Sequence, residues 1–204
     1  MAWATFVSSE LLTCDANFEA FHDGTDAIII SLNPRELLDL NFTIASEIGE
    51  ADDLEIQILG GNRVVSGSAI LASSTDTLIG LAAGDTEADD YYMGMYLAMT
   101  QGGETKDIRE IADYDKTGGT VEDQCTLVRA LSGTPSTAEQ CSIFHMRPIS
   151  QFIITAETTL TEDLPQNSGI TVMGFPFIIA RARATTGVDA HIALMTYTKD
   201  GVSA

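Results

Sequence analysis

The sequence predicts an all-β protein, on three observations. Apolar residues recur with a period of two, turn signals return every ~8–12 residues, and no segment holds a 3.6-residue apolar period over three helical turns. The chain has 204 residues, 45% hydrophobic and 20% charged. That length buries a core without staples and suits one large all-β domain or two small ones.

Residues 1–25 contain Trp3, Phe6, Leu11, Leu12, Phe18 and Phe21 without clear alternation. So many large apolar groups on a short arm must dock on its own domain or on a neighbour. Ala27-Ile28-Ile29-Ile30-Ser31-Leu32 is a β-branched run closed by Asn33-Pro34. Asn33-Pro34-Arg35-Glu36 could start a short helix, with Asn33 as its cap and Pro34 in the first turn. Leu38, Leu40, Phe42 and Ile44 alternate with Asp39, Asn41 and Thr43, the pattern of a half-buried strand. Leu54, Ile56 and Ile58 alternate in the same way, and Gly60-Gly61-Asn62 then reads as a hairpin turn into Arg63-Val64-Val65.

The middle is β-rich in another style. Ser66 to Ser74 is small and polar-spaced, Thr77 to Leu81 is a short strand, and an acidic loop spans Asp85 to Asp90. Tyr92 to Met99, Thr105 to Tyr114 and Val121 to Val128 follow, separated by Gln101-Gly102-Gly103 and by Lys116-Thr117-Gly118-Gly119. Glycine pairs supply positive φ without steric cost, so both read as hairpin turns. A loop from Ser132 to Ser136 leads into a strand over Cys141 to Met146.

The last part returns to the first style, with strands over Phe152 to Ile154, Ile170 to Met173, Phe175 to Arg183 and His191 to Thr198. The alternation Ile179 to Ala184 puts Arg181 and Arg183 on one face. Likeness of style at the two ends organises the chain as an arm over residues 1–25, a sandwich of 26–65 with 148–204, and an inserted small barrel or meander over 66–147.

Charge removes whole classes of function. Lys plus Arg number 10 against 30 Asp plus Glu, a net charge of -20 and a pI of about 4.1. Binding to phosphate backbones or anionic lipid needs the opposite balance, so neither nucleic acid nor membrane is expected as a partner. The longest apolar stretches are strand-sized, far short of the ~20 residues of a membrane-spanning helix. The first residues lack the basic region of a secretory signal, so the sequon Asn41-Phe42-Thr43 carries no meaning. Cys14, Cys125 and Cys141 make an odd set without CxxC spacing. They read as buried thiols of a protein assembled in a reducing cytoplasm.

Catalytic patterns are missing from the sequence. His22, His145 and His191 are scattered, and no nucleophile elbow, P-loop or dinucleotide fingerprint occurs. No catalytic residue, cofactor or firm metal site is expected. Asp85, Glu87, Asp89 and Asp90 could supply oxygens to Ca²⁺, but lack the DxDxDG spacing of a known calcium loop and read better as a solvated loop. Tyr91-Tyr92-Met93-Gly94-Met95-Tyr96 is the stronger signal. Tyrosine and methionine bury area while tolerating a wet edge. The segment reads equally as a covered central strand or as an interface. The interface candidates are therefore Trp3, Phe6, Leu11, Leu12, Phe18, Phe21, Tyr91, Tyr92, Met93, Met95 and Tyr96.

The run Asp90 to Thr100, then Gln101 to Ile111 with its Arg109-Glu110-Ile111, then Ala112 to Asp115, resembles a β-module recurrent in virion proteins of tailed bacteriophages. Ser66-Gly67-Ser68-Ala69, Thr77-Leu78 and Gly133-Thr134-Pro135-Ser136-Thr137 sit where that module has small-residue and TP-type segments. The Gln-Gly-Gly-Glu turn is shorter than the module's usual one, and Lys116-Thr117 replaces its usual glycine after Tyr114-Asp115. The resemblance implies a capsid decoration (cement) protein or a tail or fibre part, and it transfers no catalytic residue. The outer segments look like the Ig-like β-sandwiches of such proteins, at the level of fold alone.

Three functions follow as expectations. The first is a non-enzymatic decoration protein on the virion exterior, bound to the major capsid protein or other virion proteins. It would be homo-oligomeric, by class a trimer at local threefold positions. Its acidic surface would keep it soluble, and lattice repetition would turn modest contacts into avidity. The second is a tail or fibre component binding host glycans, with or without Ca²⁺. The third and most remote is a carboxylate-dependent hydrolase, since thirty acids always allow some suitably spaced pair.

Overall fold

The computed structural model describes residues 3–10, 12–24, 26–33, 36–48, 54–81, 87–101, 104–116, 123–154, 163–164, 174–185 and 190–201. Among them there is no helix, and the strand pairings are mostly antiparallel. The strands are β1 (Trp3–Ser8), β2 (Leu12–Cys14), β3 (Glu19–Ala20), β4 (His22–Asp23), β5 (Asp26–Ala27) and β6 (Ile30–Ser31). Next come β7 (Glu36–Ile48), β8 (Leu54–Ala69), β9 (Leu78–Gly80), β10 (Tyr96–Gln101) and β11 (Glu104–Asp115). The last are β12 (Gln124–Leu127), β13 (Gln140–Ile154), β14 (Asp163–Leu164), β15 (Phe177–Ala184) and β16 (Ala190–Gly201). The chain divides into two units: Met1–Gly61 with Arg147–Ala204, and Asn62–Met146.

In the first unit β16 is a hub, with β7 along one side and both β1 and β2 along the other, and β14 beyond β7. A second group forms around β15, which pairs with β3, β6 and β8. One core takes side chains from both groups: Leu40, Phe42 and Met195 from the first, Ile56, Ile58, Ile178 and Ala180 from the second. That is a β-sandwich, and the period of two in β7 and β8 produces it by turning alternate residues inward. The rings of Phe21 and Phe42 meet at 5.5 Å within it. Each buried Leu, Ile or Phe contributes roughly 1.5–3 kcal/mol of transfer free energy.

The arm expected over residues 1–25, docked on its own domain or on a neighbour, supplies short strands to this unit. Trp3–Ser8 and Leu12–Cys14 lie on β16, and Glu19–Ala20 lies on β15. Buried Ser9 extends the β1 pairing: its amide donates to Met195 O at 2.7 Å, and its hydroxyl accepts from the Met195 amide at 2.9 Å.

Two local expectations are corrected here. The Gly60-Gly61 pair is no turn: β8 runs unbroken from Leu54 to Ala69, and Gly60 and Gly61 pair with Ile178 and Phe177. The glycine is needed for close approach, because a Cβ on Gly60 would lie 2.8 Å from Cγ of Phe175. A helix start at Asn33 to Glu36 does not form either. Pro34 and Arg35 lie outside the described residues, but Glu36 already begins the thirteen-residue strand β7.

The second unit is an antiparallel sheet in which only β10, β11 and β12 are neighbours in chain order. The strand order is β13-β10-β11-β12-β9, and a bridge between Ile70 and Leu81 follows β9. Its separate core contains Ile79, Leu97, Ile111, Tyr114, Cys125 and Ile143. Both β8 and β13 continue across the division between units, so the strands expected at Cys141 to Met146 and at Phe152 to Ile154 are one strand. Ile170 to Met173 lie outside the described residues.

Candidate interaction surface

The Tyr/Met segment is a turn before it is a strand. Residues 89–94 form turns and β10 starts only at Tyr96, where a strand from Tyr92 is expected. Asp90 and Gly94 carry positive φ, 63° and 77°, and a continuous strand accommodates neither. The turn is bonded to β11 at both ends. The Asp90 amide donates to Tyr114 O and the Gly94 amide to Ile111 O, each at 2.8 Å, while the Ile111 amide returns a 2.8 Å bond to Met95 O.

This geometry sorts the aromatic residues. Tyr92 is 3% exposed and meets the Tyr114 ring edge-on at 4.7 Å, and the Tyr114 hydroxyl lies 3.4 Å from Oδ1 of Asp123. Tyr91 leans edge-on against Tyr92 at 5.0 Å yet remains 45% exposed, and Met93 is 56% exposed. Met95 packs against the core from the side. Tyr96 is buried, with its hydroxyl 3.3 Å from Oε2 of Glu110. The turn therefore offers Tyr91 and Met93 outward, on a base of stacked tyrosines.

The same burial corrects four interface candidates. Leu12, Phe21, Tyr92 and Tyr96 are enclosed within their own units, so they have almost no surface left for a partner. Phe18 is half-buried between two cations, with the guanidinium carbons of Arg181 and Arg183 at 4.2 and 4.4 Å from its ring centre. Trp3 and Phe6 sit on β1, opposite Asp200 and Thr198. Leu11 lies outside the described residues.

Of the calcium candidates, Asp85 lies outside the described residues, Glu87 is half-buried, and Asp89 and Asp90 are exposed. Asp89 Oδ1 accepts the Lys116 amide at 2.9 Å. The Asp90 carboxyl is held above the usual aspartate range. The largest cause is a side-chain hydrogen bond with Asp113, and the charges of Asp113, Asp89 and Asp115 add to it. Among the described residues, no three of His, Cys, Asp and Glu gather as a metal ion would need. The three histidines stand on β4, β13 and β16. All three cysteines are buried, and desolvation pushes the Cys14 and Cys141 thiols up to about 12, where they are poor nucleophiles.

Two polar clusters went unread in the sequence. On the second face of β8, Glu55 and Gln57 are buried beside Arg181, Arg183 and Gln151. Arg183 gives Glu55 Oε2 two contacts of 2.7 Å, Gln151 Nε2 donates to Glu55 Oε1 at 2.6 Å, and Arg181 forks onto Gln57 Oε1 at 3.0 and 2.8 Å. The one available signal was the arginine alternation in β15, whose register sets Arg183 against Glu55 and Arg181 against Gln57. In the second unit, buried Asp107 accepts the Ser132 amide at 3.0 Å and its hydroxyl at 2.6 Å, and pairs with Arg109 at 2.9 Å. Arg109 also donates to Ala130 O at 3.0 Å, so the Arg-x-Ile strand ties down the 130–132 loop.

No protein-family model matches this chain, and no curated protein matches it in sequence.

Proposed function

We propose that this chain is a non-enzymatic structural protein of a tailed-phage virion, a decoration protein that binds the capsid exterior and stabilises the shell. The observation that carries this reading is the 89–94 turn, which holds Tyr91 and Met93 in the open and is bonded to β11 at both ends. Anchors fixed before binding lose little conformational entropy when they dock. Burying each of them contributes roughly 1.5–3 kcal/mol, and repetition over a lattice multiplies that modest energy. The -20 charge keeps unbound copies soluble. The direct experiment heats empty phage shells with and without the purified protein. Saturable binding with a higher disruption temperature is the expected result. Shells that neither bind the protein nor gain resistance overturn the reading.

A second reading is favoured by the same turn. An exposed Tyr91 ring, preceded in the chain by the exposed acids Asp89 and Asp90, suits a sugar, which stacks on such a ring and donates hydroxyls to acids. Under this reading the chain is a tail or fibre component, and a glycan array gives hits that Tyr91→Ala abolishes. An array without hits removes it.

A further inference from the structure

The fold sorts the sulfur atoms of the chain by their access to solvent. Cys14, Cys125 and Cys141 are buried, and burial holds the Cys14 and Cys141 thiols in the protonated form that peroxide attacks least. Met99, Met146 and Met195 are each 6% exposed or less, and Met95 packs against the core of the second unit. Met93 alone among the described methionines is largely open. Its backbone is nonetheless fixed: the Met93 amide donates to Asp90 O at 3.0 Å, and the next amide, of Gly94, donates to Ile111 O. The thioether thus stands in solvent on a tied turn, two residues from exposed Tyr91. A thioether, unlike a thiol, reacts with peroxide without first ionising, so exposure decides which methionine is oxidised.

We propose that Met93 is a site of reversible oxidation, and that its sulfoxide switches off the apolar contact made by the 89–94 turn. Hydrogen peroxide is the oxidant. The sulfur gives two electrons to the peroxide, one oxygen forms the S=O bond, the O–O bond breaks, and the other oxygen leaves as water. The return step takes a dithiol through a methionine sulfoxide reductase: the dithiol becomes a disulfide, and the sulfoxide oxygen leaves as water. Oxidation replaces a flexible apolar end by a polar one, whose oxygen must shed its water to dock. Met93 belongs to neither core, so the fold itself is untouched. The selective oxidation is independent of what the turn binds, whereas its consequence rests on the shell-binding reading.

The test treats the full chain with dilute hydrogen peroxide and follows each methionine by peptide mass spectrometry, with binding to empty phage shells measured on the same samples. Met93 should gain oxygen at least about tenfold faster than Met99, Met146 and Met195, and shell binding should weaken about tenfold as it does so, at unchanged Tm. Methionine sulfoxide reductase with a dithiol should restore the binding. Met93→Leu keeps the apolar group without the reactive sulfur, so it should bind shells and ignore peroxide. That variant assigns the effect to Met93 and not to Met1 or Met173, which lie outside the described residues. Oxidation that reaches the buried methionines as fast as Met93 overturns the proposal, as does a Met93 sulfoxide that binds shells as tightly as the thioether. Shells that bind neither form, while Met93 still oxidises first, overturn the shell-binding reading and the switch with it.

Discussion

The two units differ most in how far along the chain their contacts reach. In the second unit, Tyr114 meets Asp123 at a separation of 9 residues, Arg109 meets Ala130 at 21 and Asp107 meets Ser132 at 25. In the first, Arg181 meets Gln57 at 124, Arg183 meets Glu55 at 128 and Met195 meets Ser9 at 186. Closing a longer loop costs more entropy and slows folding. The second unit is thus closed by shorter spans, its widest side-chain hydrogen bond among the described residues joining Gly67 and Ser142 at a separation of 75, while the first requires both ends of the chain to meet. The difference also suits a division of labour. A locally closed unit can hold a rigid turn such as 89–94 without help from the chain ends.

The largest expected effect comes from Tyr114→Ala. It removes a fully buried ring, its stacking on Tyr92 and its contact with Asp123. The cost should be about 3–5 kcal/mol, with hydrogen exchange rising over residues 87–127 first. Equal loss of protection in both units would show that they unfold as one and would break the comparison.

Glu55→Ala comes next. It leaves Gln151 and Arg183 without the carboxylate that joins them. Breaking a buried pair costs ~3–5 kcal/mol, but the Arg183 side chain is 39% exposed and recovers water. About 2 kcal/mol is expected in denaturant unfolding of the first unit, and Glu55→Gln should lose less. Gly60→Ala should cost about 1–2 kcal/mol through its collision with Phe175. Phe175→Ala in the same chain should recover part of that loss, and a cycle showing no coupling would contradict the close approach.

The smallest effect is electrostatic. The raised Asp90 carboxyl means that the folded chain holds its proton more tightly than the unfolded chain. Stability from this group is complete at low pH and lost as pH rises through the raised folded value. Asp90→Asn should therefore raise Tm slightly at neutral pH, and the gain should vanish below the ordinary aspartate range. A gain that persists in acid would assign it to backbone geometry at this positive-φ position instead.

The all-β class was legible because a period of two in apolar residues marks a strand, as in Leu40 and Phe42 or Leu54, Ile56 and Ile58. Gly60-Gly61 misled because glycine signals a turn and a close approach with the same letter, and only Phe175, far along the chain, separates the two. The start of β10 was misplaced because β-prone tyrosines fill a turn that Asp90 and Gly94 impose. Glu55 and Gln57 alternate with Leu54, Ile56 and Ile58 in the sequence, yet they are buried. Their partners Arg181, Arg183 and Gln151 arrive from remote positions, which no local pattern records.

The most direct test of the account is co-sedimentation with empty phage shells, comparing the unmodified protein with a Tyr91→Ser, Met93→Ser double variant. The account predicts saturable binding for the first and at least about tenfold weaker binding for the second, at unchanged Tm. Equal binding by both would show that the 89–94 turn is not the contact. Binding by neither would contradict the shell-binding function itself.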